Sequence, residues 1–113
     1  MITVEKLKDF GCNVEEGLQR CMNNKDFYLM LVNKSMKDEQ VVELRAAIET
    51  KDYKKGFEIA HSMKGVYGNL SITPLFIAVQ EITEPLRNNN DIDYEPLLLK
   101  VEKLYAELKE LAK

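Results

Sequence analysis

Apolar residues recur three and four apart along almost all 113 residues, and polar or glycine punctuation cuts that pattern into pieces. No stretch alternates with period two over a useful length, so the pattern reads as helix throughout. The punctuation sets the ends. Thr3 to about Phe10 predicts a short helix closed by Gly11, and Asn13 with Glu16 three residues on opens a second through a capping-box pattern. Asn23-Asn24 breaks it. From Lys25 to Thr50 the residues Phe27, Leu31, Met36, Val41, Leu44 and Ile48 keep an imperfect repeat. The spacing stretches near Lys37-Asp38, where a bend is expected. Asp52 caps the next helix, which runs to about Leu70. Thr73-Pro74 restarts the chain as a capping residue followed by a first-turn proline. That helix carries Leu75, Val79, Ile82 and Leu86 and stops at Asn88-Asn89-Asn90. Asp93 opens the last helix, with Leu97, Val101, Leu104, Leu108 and Leu111. Substantial helices joined by short loops pack as antiparallel neighbours. The expected fold is all-α, an antiparallel up-and-down four-helix bundle with a short N-terminal helical cap, forming one domain over residues 1–113.

The helix after Asp52 holds the only histidine of the chain. Advancing about 100° per residue, Tyr53, Phe57, Ala60, Met63, Tyr67 and Leu70 gather into one apolar stripe. His61 lies roughly 100–120° from the centre of that stripe, on a flank that solvent reaches. Lys64, Gly65 and Gly68 follow it at i+3, i+4 and i+7, and Glu58 and Lys54 precede it on the same face. Glycine costs roughly 1 kcal/mol against alanine inside a helix, so two glycines beside the imidazole trade stability for an open surface. Helix–helix contact is the competing reading of both, and Gly56, which points into the stripe, is read that way. Asn69 either bonds locally or lines the same surface.

Composition narrows the chemistry. Net charge is −3 and the basic residues are scattered, which gives no footprint for nucleic acid or an anionic membrane. No apolar run approaches the roughly 20 residues of a membrane span, and the amphipathic N-terminus does not match a signal peptide, so a cytoplasmic address is expected. Cys12 and Cys21 match no zinc or redox spacing and read as reduced, partly buried thiols, with a disulfide as the alternative. Met22, Met30, Met36 and Met63 read as gap-filling core or near-core residues. A metal or haem held by one histidine, with no ligand partner at i+3 or i+4, is the weaker use of His61; no cofactor is expected.

A neutral imidazole offers one ring nitrogen as a nucleophile and can take a phosphoryl group as a labile phosphoramidate. A lysine one turn on neutralises charge on the incoming oxygens. The missing side chains at Gly65 and Gly68 leave room for that group and for a partner's surface. No glycine-rich phosphate loop, kinase signature or acidic metal cluster accompanies them, so the reading is a phosphoryl carrier without ATP-dependent kinase activity.

The stretch Ala60-His61-Ser62-Met63-Lys64-Gly65-Val66-Tyr67-Gly68-Asn69-Leu70 resembles the active-site helix of histidine-containing phosphotransfer (HPt) domains. Gly11-Cys12-Asn13-Val14-Glu15-Glu16-Gly17-Leu18 and Phe27-Tyr28-Leu29 resemble that family's N-terminal cap and second helix. In the family, a four-helix bundle presents one exposed histidine that shuttles phosphoryl groups between receiver-domain aspartates in multistep phosphorelays. The resemblance implies that His61 is phosphorylated, that Lys64 complements its charge, and that Gly65 gives the phosphoryl group space. Gly68 resembles the further small residue on the family's docking face, and Gly65, Asn69, Glu58 and Lys54, placed beside His61 by the helical period, are read as docking residues with it. The implied partners are response-regulator receiver domains and a hybrid sensor histidine kinase, any magnesium belonging to the receiver, and the chain is expected to act as a monomer. The competing reading is a phosphorylation-inactive adaptor that binds and sequesters response regulators. Val66 and Tyr67 are bulkier than the family's small residues, and Ser71-Ile72 stands where Gly-Ala is frequent. Tyr67 falls in the apolar stripe, which implies changed packing with retained chemistry.

Overall fold

Three short helices lead into four that form the bundle, and the computed structural model describes all residues 1–113. α1 (Val4–Phe10) begins where the Thr3 hydroxyl accepts the Lys6 N–H, and it ends where Gly11 takes φ +112°, the left-handed geometry that glycine adopts without strain. α2 (Val14–Arg20) is capped by Asn13, whose side-chain oxygen accepts the Glu16 N–H at 3.2 Å. Only that half of the capping box forms. The Glu16 carboxylate turns instead to the Ser71 hydroxyl at 3.1 Å and to Arg20 at 3.0 Å.

The stretch from Lys25 to Thr50 is two helices, not one bent helix. α3 (Lys25–Lys34) and α4 (Asp38–Glu49) are separated by three residues. The buried Ser35 donates its hydroxyl to the Val32 carbonyl at 2.6 Å and closes α3, while Lys37 is extended and breaks the backbone direction. The short α3 buries only Tyr28 and Val32. Phe27 and Met30 therefore fall on its open side, and Met22, held in a left-handed turn between α2 and α3, is 88% exposed. Met63 alone of the four methionines expected in or near the core is fully enclosed, with Met36 half-buried.

α5 (Tyr53–Asn69), α6 (Thr73–Arg87) and α7 (Glu95–Leu111) complete the bundle with α4, and neighbours in sequence pack against each other. Asp52 caps α5 as expected, accepting the Lys55 N–H at 3.2 Å. The cap of α6 shifts by one residue: Ile72 is the N-cap, Thr73 is already helical, and Pro74 sits in the first turn, where its missing N–H costs nothing. Asp93 bonds the Glu95 N–H at 3.1 Å and so starts α7 from one residue before its N-cap, Tyr94. The interior is one contiguous cluster to which every helix contributes, with Leu7, Val14, Tyr28, Leu44, Met63, Ile82 and Val101 among its members.

Ionic clamps close α4 onto α7, where the first and last bundle helices meet. Arg45 donates to both Glu95 oxygens at 2.9 and 3.0 Å and to both Glu102 oxygens at 2.7 and 2.8 Å. One end of the seam is held by Asp38, which accepts from the Tyr105 hydroxyl at 2.6 Å and from Lys109. Near the other end, Tyr53 donates to Asp91 at 2.6 Å. No helix is long and apolar enough to cross a membrane.

Candidate functional site

α5 is placed by its apolar stripe. Tyr53, Ala60, Met63, Tyr67 and Leu70 are buried and Phe57 is half-buried, which leaves the opposite flank outside. Gly56 faces Leu86 of α6 and Ile48 of α4, and a Cβ there would sit 3.4 Å from the leucine, so this glycine is a helix–helix contact as expected. His61 is exposed on the flank, one residue after the fully buried Ala60.

The imidazole is exposed but has a neighbour. Its ring stacks on Phe57 one turn earlier, with centroids 5.5 Å apart and planes 24° from parallel. The Arg87 guanidinium, from the end of α6, lies over the same phenyl ring at 5.4 Å from its centroid. Stacking occupies a face of the imidazole and leaves its nitrogens, which lie in the ring plane, at the edge.

Lys64 is half-buried one turn beyond and enters no ion pair, so its charge is not already committed to a carboxylate. The two glycines differ. Nothing lies within 4 Å of a Cβ built on Gly65, so the backbone there is open to whatever approaches. At Gly68 the Phe76 ring of α6 comes within 3.1 Å of that position, so this glycine admits a neighbouring helix, the competing reading of it above. Glu58 and Lys54 are exposed on the turns before His61 and form no ion pair with each other. Asn69 is exposed at the last helical residue.

A cleft of about 530 Å³ opens beside Lys64 and Gly65 and runs toward the C-terminal end of α5. Gly68, Asn69 and Phe76 form one side, and Asn13, Glu16 and Arg20 of the N-terminal cap form the other. His61 is not among its lining residues; it stands beyond the Lys64 end. The far wall is pinned to α5 by hydrogen bonds to backbone carbonyls at the helix end. Arg20 donates to Gly68 at 2.7 Å, Tyr28 to Leu70 at 2.8 Å, and the Asn13 N–H to Ser71 at 3.0 Å. These carbonyls lie in the last turn of α5 and just past it, where the regular helical hydrogen bonds run out, and a guanidinium there also suits the negative end of the helix dipole.

The sequence model of one family, the Hpt domain, matches residues 34–111, from the end of α3 through α7. The chain belongs to the Hpt domain family. Hpt domains are phosphoryl carriers of phosphorelays, not kinases, and they interact with receiver domains. No curated protein matches the chain, and no solved structure does. The Hpt match includes α5 whole and begins after the cap residues Asn13, Glu16 and Arg20.

Sequence reasoning missed both the cap residues in the cleft and the pair Phe57–Arg87. Phe57 carried a signal, since i−4 on a helix is contact distance from His61. Arg87 carried none, because its approach depends on how α6 lies along α5. No group of three His, Cys, Asp or Glu side chains is disposed to hold a metal ion.

Proposed function

We propose that His61 is the phosphoryl acceptor of this Hpt domain and that it carries the group from one receiver-domain aspartate to another. The observation that carries this reading is the exposed imidazole of the only histidine, next to an unpaired lysine and a glycine with open space above it. A lone-pair nitrogen of the neutral ring attacks the phosphorus of an aspartyl phosphate. The N–P bond forms as the P–O bond to the aspartyl carboxyl breaks, and the carboxylate leaves with the bonding electrons. Transfer to the next receiver reverses these steps. Lys64 neutralises part of the charge on the phosphoryl oxygens as they pass, and any magnesium required belongs to the receiver's acidic pocket.

The docking surface in this reading is the exposed flank of α5, from Lys54 and Glu58 past His61 to Gly65 and Asn69. The cleft and its cap wall extend it, and the whole of residues 1–113 works as one module. The partners are response-regulator receivers and a hybrid sensor kinase, which gives the module a cytoplasmic address.

His61→Gln removes the nucleophile at an exposed position and is expected to leave the helical circular dichroism and Tm unchanged while abolishing phosphate uptake from a phosphorylated receiver. Labelling of that variant contradicts the assignment. Lys64→Ala is expected to slow transfer by about 10-fold or more, in line with the loss of one charge-stabilising donor. An unaltered rate removes the lysine from the mechanism.

A further inference from the structure

We infer that Phe57 is a positioning residue for the His61 imidazole, with Arg87 backing it from α6, an inference that rests on His61 being the acceptor. Phe57 is half-buried and packed against the core, so one edge of its ring is anchored. The imidazole lies over it at 5.5 Å and 24°, near enough to parallel for offset stacking. A helical side chain of this kind has two accessible χ1 wells, both directed back over the preceding turn, where Phe57 sits at i−4. Without a ring there, an exposed histidine samples both wells and several χ2 values. With it, one orientation is favoured, in which the phenyl ring covers a face of the imidazole and leaves the in-plane nitrogen lone pairs clear of the stack.

Arg87 adds a second contact to the same ring. Its guanidinium lies over Phe57 at 5.4 Å while one nitrogen stays 3.6 Å from Glu84, on its own helix. The phenyl ring thus joins the end of α6 to the imidazole on α5. In-line attack needs the nitrogen lone pair aimed at phosphorus when the receiver docks. A ring already turned to the productive angle reacts on a larger fraction of encounters. The effect belongs to the transfer step, because Phe57 presents its face to the imidazole and needs no contact with the partner.

The chain has one histidine, so its two carbon-bound ring protons give unambiguous NMR signals. A phenyl face shifts them upfield. The comparison is between the full chain and its Phe57→Leu and Phe57→Tyr variants. Phe57→Leu keeps an apolar side chain against the core, so the fold is expected to survive, with Tm as the control. Its imidazole protons are expected to move downfield, and the maximal rate of transfer from a saturating phosphorylated receiver to fall about 2- to 10-fold, the range an aromatic pair supports. The KM for the receiver stays unchanged. Phe57→Tyr restores both shift and rate. Arg87→Ala is expected to give a smaller change of the same sign. Imidazole shifts identical in Phe57→Leu overturn the stack, and a shift that moves while the maximal rate does not overturns its role in transfer. If the unaltered chain takes up no phosphate, the acceptor assignment itself fails, while the NMR comparison still decides whether the stack exists.

Discussion

Gly65 and Gly68 stand three residues apart on one helix and owe their place to different causes. A methyl group at Gly65 meets nothing, whereas one at Gly68 meets Phe76 at 3.1 Å. Replacing a helical glycine by alanine without a clash gains about 0.5–1 kcal/mol. Gly65→Ala is therefore expected to raise stability by that amount in urea titrations. Gly65→Leu keeps the stability and loses transfer rate, because its side chain fills the space a phosphoryl group and partner would use. Gly68→Ala gains less than Gly65→Ala, since the Phe76 ring must shift to admit the methyl. Equal gains at both sites contradict the packing described. Cys12 makes a second test at this scale. Burial pushes its thiol up to about 12, against a weaker opposing hydrogen bond with the Thr73 backbone, so little thiolate exists at pH 8. Iodoacetamide is expected to spare it in the folded protein and to label it once urea unfolds the chain.

At the scale of elements, the N-terminal cap exists in large part to finish α5. Ser71 takes φ +56° after the helix end, and the Ile72 N–H returns to the Tyr67 carbonyl at 2.9 Å while the Ser71 N–H returns to Gly68 at 3.2 Å. This is the Schellman arrangement, which glycine ordinarily closes. The serine accepts the strain and uses its hydroxyl to bond Glu16, tying α2 to the turn. Gly17 lets Tyr28 reach under α2 to the Leu70 carbonyl; a Cβ there would lie 2.6 Å from the tyrosine ring. Gly17→Ala is expected to destabilise the protein by about 1–3 kcal/mol, the usual cost of overpacking, measured as a lowered urea midpoint. No change in that midpoint contradicts the described α2–α3 contact.

The same elements show what the chain reveals before it is folded. Asn13, Asp52 and Gly11 were legible because caps act over three or four residues. So was the flank position of His61, which needs only the helical period. The Lys25–Thr50 stretch misled because the apolar spacing continues across Ser35–Lys37, and only the Ser35 bond to Val32 and the extended Lys37 end α3 there. Arg20 in the cleft and Arg87 over Phe57 were invisible, since each reaches its neighbour across tertiary packing that no local pattern encodes.

For the whole molecule, three carboxylates along the α4–α7 seam and the loop before α7 link stability to acidity. The Tyr105 hydroxyl, then Lys109, hold Asp38 below the usual carboxylate range; Tyr53 and Lys51 do so for Asp91, and Arg45 for Glu95. Each folded-state pKa lies below its unfolded value, so the stabilisation is present above the ordinary carboxylate pKa of about 4 and is lost as pH falls through the lowered values. The urea midpoint is expected to be level from pH 7 to about 5 and to drop below about 4. Asp38→Asn lowers the midpoint at pH 7 and flattens that drop; an identical acid profile in the variant contradicts the role of this pair. Asp38 bonds Tyr105 and Lys109 of α7 and none of the residues placed at the α5 site, so Asp38→Asn is expected to leave phosphoryl transfer at pH 7 unchanged. The most direct measurement for the molecule as a carrier is to incubate it with a phosphorylated receiver domain and map the phosphate it acquires. The expected product is one acid-labile, alkali-stable phosphate on the peptide containing His61, and phosphate on any other residue, or none from any receiver encoded beside it in the same genome, contradicts the proposed function.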